Sequence, residues 1–491
     1  MRFDCSELLI GGDWRSQGSE WLDVVSPSTE ELVTKVRHAE TADIDDAVIA
    51  ARTAFDRGPW PRMSPEERAE VIRSAIQLLA ARRDEIATLV TREMGAPYSD
   101  TVGQQIPGAL GMAKAFTRYS ADMSRATSRN GRLGWALIEQ EPVGVVGAIV
   151  AWNAPFYFSI LKVIPALLAG CTVVLKPAEE TPISAFHLGE ALYAAGLPAG
   201  ALSIVPGDRG VGAHLVSHPG VDKVAFTGST AAGRVIGATC GQMLKRSSLE
   251  LGGKSAAIVL EDADLADTTP WLSAGAFYNS GQVCAALTRV LAPRRRYDEV
   301  VDSLAAAATK LRIGDPFSPD TEVGPLVSAR QRYRVEGYLE IAKQEGAIVA
   351  AGGGRPSGLD RGYYLEPTVF AGVDNDMRIA REEIFGPVAV VIPYEDVDQA
   401  IAIANDSPYG LHGGVYTSDP DAGVAVARRI VTGSVSVNSF TLNSDAPFGG
   451  RKSSGYGREF GPEGIAEYLE YKTINVPAVV GEAAYGAHAG V

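Results

Sequence analysis

Cys284 is the residue whose type and setting most suggest chemistry. It lies in the segment Phe277–Arg289, FYNSGQVCAALTR, among small and polar side chains rather than branched apolar ones. A turn-like Asn-Ser-Gly precedes it, and the run after it is compatible with a helix. A thiol at a helix N-terminus has a lowered pKa and favours the nucleophilic thiolate. The segment therefore predicts a reactive thiol, although on this segment alone a buried structural cysteine fits equally well.

The composition narrows the possible partners. Lys and Arg total 45 and Asp and Glu total 59, so the net charge of −14 disfavours nucleic acid and anionic membrane surfaces. Four Cys and six His show no metal-ligand spacing, and so few Cys in 491 residues favour a reducing compartment. No metal is expected. The N-terminus has no apolar run of leader length and no stretch approaches a membrane span, so we expect a cytoplasmic protein.

Helical patterns dominate the first third of the chain. A short hairpin is predicted over Ile10–Val25, followed by a helix over Asp43–Asp56. The capping-box sequence Ser64-Pro65-Glu66-Glu67 opens a further helical pattern that Gly95 ends. Another helical stretch is predicted over Ser99–Met123.

Two extended segments stand apart from these helices. Ser128–Glu141 has few helix signals and is predicted to form an arm, which makes it a candidate for oligomerisation. Glu467–Val476 is a last extended run, expected to rejoin this arm, and the small-residue tail after it is expected to be mobile.

Strands and helices alternate from Val143 onward, which indicates a parallel sheet covered on both faces. Ligands of such sheets bind beyond the carboxyl ends of the strands. A second α/β unit begins with the strand Ala256–Leu260. The five strands predicted for the first sheet are Val143–Val150, Cys171–Leu175, Leu202–Val205, Lys223–Phe226 and Leu244–Leu249.

Polar segments follow four of these strands. Ordinary turns account for their Gly and Pro residues, but less well for Lys176, Glu179 and Glu250. The stretch Gly228–Gly233 could offer backbone N–H groups to a pyrophosphate at a helix start, although a tight turn fits it equally well, as for Gly207–Gly212. The four segments are Trp152-Asn153-Ala154-Pro155, Lys176-Pro177-Ala178-Glu179-Glu180, Thr227–Gly233 and Glu250-Leu251-Gly252-Gly253.

Taken together, these segments resemble the aldehyde dehydrogenase superfamily from about Ile10 to Val476. The strongest marks are Leu249–Lys254, LELGGK, and Gly281–Cys284, GQVC, whose spacing also matches the family. Supporting marks are Trp152-Asn153, Lys176–Glu179, Phe226–Ser229, Glu382–Pro387, Pro447–Gly450, Lys452 and Ser454-Gly455. Ala151 and Val283 depart from residues that are frequent in relatives, and they bear on substrate choice.

The resemblance implies a mechanism. Cys284 would attack the aldehyde carbon, and the Asn153 amide with the Cys284 backbone N–H would bind the oxyanion. Hydride transfer to the nicotinamide would leave a thioester, which Glu250 would hydrolyse as general base on a water. Lys162 is also placed among the catalytic residues, toward the cofactor side. Turn residue and cation partner are the plainer interpretations of Asn153 and Glu250.

The resemblance further implies NAD as cofactor. Lys176 and Glu179 would bind the adenine ribose, and the Glu179 carboxylate would repel a 2′-phosphate, so NADP is less favoured. Ser229 would touch the pyrophosphate, and Glu383 the nicotinamide ribose. Phe385 would lie against the nicotinamide, with a core position as the alternative. The predicted cofactor residues are Trp152, Lys176, Glu179, Gly212, Phe226, Gly228, Ser229, Leu251, Glu383 and Phe385.

The substrate is less well specified. Phe156, Tyr157, Phe158 and Leu161 follow Asn153 and are predicted to line the access tunnel, which favours an apolar or aromatic aldehyde. The alternative is that they pack the helix. Two other functions stay open: a CoA-acylating enzyme, which the presence of Glu250 disfavours, and a catalytically silent protein on the same fold.

The predicted architecture is α/β, with a Rossmann-like parallel-sheet cofactor domain, a second α/β catalytic domain and a small β-arm for oligomerisation. Residues 1–122 and 142–252 are assigned to the NAD-binding domain and 253–452 to the catalytic domain. The arm and C-terminal segment comprise 123–141 and 453–491. Because both arm segments need a partner surface, a homodimer or homotetramer is expected.

Overall fold

The computed structural model describes residues 5–16, 18, 20–120 and 126–477. Its strands are β1 Leu8–Ile10, β2 Asp13–Arg15, β3 Trp21–Val25, β4 Leu32–Arg37, β5 Thr127–Gly131, β6 Gly134–Pro142, β7 Val145–Ile149, β8 Thr172–Lys176, β9 Leu202–Ile204, β10 Lys223–Thr227, β11 Arg246–Glu250, β12 Ala256–Val259, β13 Arg289–Pro293, β14 Ile348–Ala351, β15 Thr368–Ala371, β16 Val388–Tyr394, β17 Gly413–Tyr416, β18 Ser436–Val437, β19 Gly455–Tyr456 and β20 Leu469–Val476.

The helices cover the faces of two large sheets. They are α1 Thr41–Arg57, α2 Pro65–Ala81, α3 Arg83–Met94, α4 Tyr98–Asp100, α5 Ile106–Ser120, α6 Pro155–Ala169, α7 Ile183–Ala194, α8 Arg209–Ser217, α9 Thr230–Met243, α10 Leu265–Phe277, α11 Tyr297–Lys310, α12 Ala329–Gln344, α13 Arg378–Arg381, α14 Val397–Asn405, α15 Pro420–Ala427 and α16 Gly461–Ala466.

The first sheet confirms the predicted parallel arrangement. Its order is β19-β11-β10-β7-β8-β9-β1-β2, and the five strands from β11 to β9 run parallel. Every residue of β7, β8 and β10 is buried, because helices cover both faces. The predicted bounds of the fifth strand, Leu244–Leu249, were wrong. The strand spans Arg246–Glu250, because Leu244 has a φ of 55° and ends α9 in the left-handed conformation.

The second sheet confirms the second α/β unit. Its order is β14-β15-β16-β13-β12-β17-β18, and every pairing is parallel except that of β14 with β15. The two sheets have separate apolar cores, one of which contains Ile164 and Leu175 and the other Ile258 and Val390.

A third, three-stranded sheet forms the predicted arm. β6 lies between β5 and β20, and β20 pairs antiparallel with β6 from Leu469 opposite Pro142 to Val476 opposite Trp135. The C-terminal run therefore rejoins the arm as predicted. The tail after it lies outside the described residues from position 478 onward.

Three predictions for the first third of the chain need correction. The hairpin is shorter than predicted, since β1 pairs with β2 whereas β3 pairs with β4. The helical pattern after Ser64 is two helices that meet at Arg82, although the capping box and the end at Gly95 are confirmed. The stretch predicted from Ser99 contains a π-helical turn, Thr101–Gln105, and its predicted end at Met123 lies outside the described residues.

Candidate active site

A left-handed turn leads to Cys284. Asn279, Ser280 and Gly281 have φ values of 52°, 57° and 69°. A Cβ on Gly281 would lie 2.1 Å from the carbonyl oxygen of Gly386, so only glycine fits there. The Ser280 hydroxyl donates to the carbonyl of Gly324 at 2.8 Å, which anchors the turn. Left-handed non-glycine residues cluster at functional sites because surrounding contacts must hold them.

The predicted helix at Cys284 is wrong, and so is the predicted direction of its pKa. Cys284 lies in a turn, and the chain continues irregularly until β13 begins at Arg289. The sulfur is therefore not at the N-terminus of a helix formed by its own segment. Burial raises the pKa of the Cys284 thiol to about 12, and the carboxyl groups of Glu250 and Glu383 add to this rise. The side chain is nevertheless partly exposed, and a base must remove its proton before it can attack.

Asn153 is tied to the loop that carries Cys284. Its side-chain amide donates to the Gln282 carbonyl at 2.9 Å, and its own carbonyl accepts from the Asn279 amide at 2.9 Å. A carboxamide has two N–H donors, so one is left for another acceptor. The structure thus fixes Asn153, which follows β7, against the loop of Cys284.

Glu250 ends β11 and meets the same loop. A Cβ on Gly253 would lie 2.4 Å from the carbonyl oxygen of Cys284, which shows how closely the two segments pack. The Glu250 side chain is only 5% exposed, and neither carboxylate oxygen has a hydrogen-bond partner in the described part of the chain. Burial raises the pKa of Glu250 well above its usual range, and Glu459 adds to this.

Lys162 forms a buried ion pair with Glu459. The sequence prediction missed Glu459, which lies 297 positions further along the chain. A partial signal was present: Lys162 stands in an otherwise apolar helix, PFYFSILKVIPALLA, and a buried ammonium needs a counter-charge. That signal indicates that an acid exists but not which one.

Three of the predicted cofactor residues line the carboxyl edge of the first sheet. Lys176 is buried and donates to the Pro177 carbonyl at 3.1 Å. Gly212, which has no side chain, leaves room beside the aliphatic part of the Lys176 side chain. Burial lowers the pKa of Lys176. Ser229 caps α9 by accepting from the N–H of Ala232 at 3.3 Å, which places a helix N-terminus at this edge.

Most of the remaining cofactor candidates adjoin this edge. Gly228 donates to the Glu250 carbonyl at 3.0 Å, and a Cβ there would lie 2.5 Å from the Phe226 ring. Leu251 is buried and donates through its backbone to the Ser454 carbonyl at 3.1 Å. Glu179 is partly exposed and within the electrostatic reach of Lys176.

Glu383 and Phe385, which precede β16, contact residues that follow strands of the first sheet. Glu383 accepts from the N–H of Gly253 at 3.0 Å. The rings of Trp152 and Phe385 meet edge-on at 5.2 Å between centroids, and Phe385 is itself left-handed at a φ of 62°. Neither ring is fully buried, so Phe385 is not a simple core residue.

These residues fit a bound dinucleotide. Buried polar atoms without a hydrogen-bond partner among the described residues include the Thr227 hydroxyl and the Lys254 ammonium. Lys254, which ends the LELGGK motif but was given no role from the sequence, is 2% exposed, and burial lowers its pKa to about 7. Unpaired polar atoms beside a glycine-rich edge and a helix N-terminus are what a polyhydroxylated, anionic cofactor would satisfy.

Three of the four residues predicted for the access tunnel are buried, whereas Tyr157 is partly exposed. Phe156, Phe158 and Leu161 are 1%, 9% and 2% exposed and pack in one apolar core cluster. Tyr157 contacts the rings of Phe158 and Phe460, at 6.2 and 6.4 Å between centroids. Burial raises the pKa of the Tyr157 hydroxyl, and Glu459 and Cys284 contribute, which places Tyr157 beside the nucleophile.

The described residues contain no group of side chains arranged to hold a metal ion. Within the same ranges, no helix is long and apolar enough to cross a membrane.

Comparison with known proteins matches the Aldehyde dehydrogenase family model over residues 14–474. The chain is 46% identical to geranial dehydrogenase of Castellaniella defragrans, over 96% of this chain and 99% of the relative. It superimposes on an aldehyde dehydrogenase of Mycobacterium tuberculosis complexed with NAD+, with a TM-score of 0.95, 48% identity and coverage of 96% and 98%. A mutant of aldehyde dehydrogenase C of Pseudomonas syringae, complexed with NAD+ and octanal, has a TM-score of 0.91, 42% identity and 96% coverage of each chain.

The match covers nearly the whole chain. The fold, and the residues at the carboxyl edge of the first sheet, are consistent with this family. The chain therefore belongs to the aldehyde dehydrogenase family, and it is an NAD-dependent oxidoreductase that converts aldehydes to carboxylic acids.

Proposed function

We propose that Cys284, Glu250 and Asn153 carry out the oxidation of an apolar aldehyde. The observation that carries the proposal is the meeting of three separate segments at one sheet edge, where both oxygens of Glu250 lack a partner in the described residues. A buried carboxyl group with a raised pKa, close to a thiol, is a candidate general base.

Acylation begins with proton transfer from the Cys284 thiol. The thiol proton passes to solvent water, because the Cys284 side chain is partly exposed, and the sulfur attacks as the thiolate. The sulfur then adds to the aldehyde carbon, and the free N–H of the Asn153 amide donates to the developing oxyanion together with the Cys284 backbone N–H. When bound, NAD supplies the hydride acceptor for this step.

Deacylation uses Glu250 as the general base. Its carboxylate removes a proton from a water molecule, whose oxygen adds to the thioester carbon. The carbon–sulfur bond breaks, Glu250 passes its proton to the departing Cys284 sulfur, the acid leaves, and the thiol and the carboxylate are both regenerated. The Lys162–Glu459 ion pair influences the pKa of Glu250 in two opposite ways. The Glu459 carboxylate raises this pKa and the Lys162 ammonium lowers it.

The cofactor residues have separate roles in this proposal. Lys176 and Glu179 bind the adenine ribose, and the Glu179 carboxylate disfavours the 2′-phosphate of NADP. Ser229 and the start of α9 receive the pyrophosphate, with Gly212, Phe226, Gly228 and Leu251 shaping the groove. Glu383 binds the nicotinamide ribose, and the Trp152–Phe385 pair flanks the nicotinamide.

An apolar aldehyde fits the side chains around the nucleophile. Tyr157, Phe158 and Phe460 give this region an aromatic character. One similar protein is named geranial dehydrogenase, and another is complexed with octanal. Both of these aldehydes are apolar. The presence of Glu250 favours hydrolysis over transfer of the acyl group to CoA, which needs no water-activating base.

We propose a homo-oligomer that works in the cytoplasm. β20 is an edge strand of the arm sheet, and its Tyr471 is 74% exposed, a surface suited to a second copy of the chain. The four cysteines are free thiols, as in reducing compartments. We propose the same three-part division of the chain as before. It has an NAD-binding domain at 1–122 and 142–252, a catalytic domain at 253–452, and the arm with the C-terminal segment at 123–141 and 453–491.

The test is NADH formation across a panel of aldehydes of increasing chain length and charge. We expect turnover with aliphatic and aromatic aldehydes, release of acid without CoA, and no turnover with Cys284→Ala, which should still bind NAD. Activity in Cys284→Ala would contradict the assignment of Cys284 as the nucleophile. A preference for anionic semialdehydes would contradict the proposal of an apolar aldehyde as substrate.

A further inference from the structure

Three buried carboxamide side chains connect the loop of Cys284 to the segment that follows β7. They belong to Asn153, Asn279 and Gln282, which are 5%, 4% and 0% exposed. The Asn279 side-chain amide donates to the main-chain carbonyl of Asn153 at 2.9 Å, and the Asn153 amide donates to the main-chain carbonyl of Gln282 at 2.9 Å. These two hydrogen bonds run in opposite directions between the same two segments, so together they restrict both the distance and the rotation of Asn153 relative to the loop.

The Gln282 side chain holds the other side of this loop. Its Oε1 atom accepts from the N–H of Val327 at 3.0 Å, and its Nε2 atom donates to the Asn279 carbonyl at 3.2 Å. Val327 lies directly before Ser328, which caps α12. The loop is therefore tied to the start of α12 on one side and to Asn153 on the other.

The backbone of this turn depends on such contacts. Asn279 and Ser280 have φ values of 52° and 57°, and left-handed residues other than glycine persist only where neighbouring groups hold them. The Asn279 carbonyl accepts from Gln282 twice, from Nε2 and from the main-chain N–H at 3.1 Å. Without the Gln282 side chain, one of the two bonds that close the turn is lost and the Gln282 carbonyl can shift.

The direction of the free Asn153 N–H depends on where the Gln282 carbonyl lies. The two N–H bonds of a carboxamide leave one nitrogen atom in a single plane, so binding one of them sets the direction of the other. A donor to an oxyanion must lie about 2.7–3.1 Å from the position where the charge develops. A small shift of the Gln282 carbonyl would therefore turn the Asn153 amide away from that position.

We propose that Gln282 and Asn279 are positioning residues that aim the free N–H of Asn153 at the oxyanion formed from the aldehyde. The inference rests on the proposed role of Asn153 as an oxyanion donor. Gln282 acts by holding the carbonyl to which Asn153 donates, and Asn279 acts by holding the main chain of Asn153. Loss of either side chain should therefore slow the reaction through Asn153 alone.

The test is a double-mutant cycle on the first turnover of NADH, measured by rapid mixing with NAD and an aliphatic aldehyde. Gln282→Met keeps the length of the side chain and removes both of its hydrogen bonds. We expect it to slow this turnover about tenfold, because a displacement of about 1 Å costs about 100-fold and this shift is smaller. In the Asn153→Ala background the same replacement should cost less than about twofold. Asn279→Gly, which suits the left-handed backbone and removes the other amide, should give the same pattern.

Alkylation of Cys284 by iodoacetamide separates the aim of the amide from the position of the sulfur. This displacement reaction forms no oxyanion, so its rate, followed by peptide mapping, should be the same in Gln282→Met and in the wild type. Asn405→Leu is the matched control, because the Asn405 side chain likewise makes one bond to a main-chain carbonyl and one to a main-chain N–H. These bonds join it to Arg429 at 2.9 Å and Val431 at 2.7 Å. Asn405→Leu should leave both rates unchanged.

Three results would overturn the inference. One is a loss in Gln282→Met that is equal in the wild-type and Asn153→Ala backgrounds, and another is a wild-type first turnover in both Gln282→Met and Asn279→Gly. The third is alkylation slowed as much as the first turnover, because the effect would then lie on the sulfur. A wild-type first turnover in Asn153→Ala would overturn the proposed function of Asn153 itself.

Discussion

Replacing Gly449 by alanine should damage thioester hydrolysis while sparing hydride transfer. The added Cβ would lie 2.5 Å from the Gly457 carbonyl, 2.8 Å from Glu250 Oε1 and 3.1 Å from Arg458 Cδ. Since contacts below 3.0 Å are not tolerated, the Glu250 carboxylate or the 457–458 backbone must move by several tenths of an ångström. A displacement of about 1 Å costs about 100-fold in rate, so about half that displacement predicts a loss of about tenfold.

The assay is rapid mixing of enzyme, NAD and aldehyde, with NADH followed by absorbance. Gly449→Ala should keep a full NADH burst, because Cys284 and Asn153 are not displaced, and then show slow steady turnover. Gly337→Ala is the control, since it lies in α12 with nothing within 4 Å of the added Cβ. Steady turnover of Gly449→Ala equal to that of Gly337→Ala would refute the placement of the base, and loss of the burst would mean that the damage is general.

Two further predictions concern the oxyanion and the fold. Asn153→Ala should lower kcat by about 100- to 1,000-fold through the loss of one oxyanion donor, without weakening NAD binding in a fluorescence titration; a loss below about tenfold would remove Asn153 from this role. Glu93, buried in α3, accepts from the N–H groups of Ile183 and Ser184, and burial raises its pKa from 4.5 to about 7. In the unfolded chain Glu93 loses its proton near its ordinary pKa of 4.5, whereas the folded protein keeps the proton up to about pH 7. The free energy of unfolding of the wild type should therefore fall by about 3 kcal/mol as the pH rises from 4.5 to about 7. In Glu93→Gln, Tm should fall less over the same range, and an equal fall would contradict the assignment.

The location of the proposed site was predictable because parallel strands bring their carboxyl ends to one edge. Asn153, Lys176 and Glu250 each follow a strand of the first sheet, and the structure places all three at that edge. The strands themselves were recognisable as apolar runs separated by helical patterns. The roles of these residues came from the family resemblance rather than from these patterns.

The conformation at Cys284 was not predictable from its neighbours. Local composition suggested a helix start, but the left-handed turn before Cys284 is held by distant groups. The Gly281 backbone packs against the Gly386 carbonyl, and the Ser280 hydroxyl donates to Gly324. The raised pKa of the thiol likewise depends on burial and on carboxyl groups brought in from other segments, among them Glu383 and Glu459.

The same limit applies to the buried charges behind the base. Lys162 and Glu459 are paired across most of the chain, as are Lys223 and Glu467, 244 positions apart. A buried lysine predicts a counter-charge, but many acids in the sequence could supply it. Likewise, the break at Arg82 and the shifted start of β11 depend on backbone conformations that apolar spacing does not encode.

The central claim is that Cys284 holds the acyl group and Glu250 releases it. Its most direct test is the intact mass of Glu250→Gln after mixing with NAD and an aliphatic aldehyde, followed by peptide mapping. The account predicts an added acyl mass on Cys284 that persists while free acid appears only slowly. Normal steady turnover of this variant, or an acyl group found on any residue other than Cys284, would contradict it.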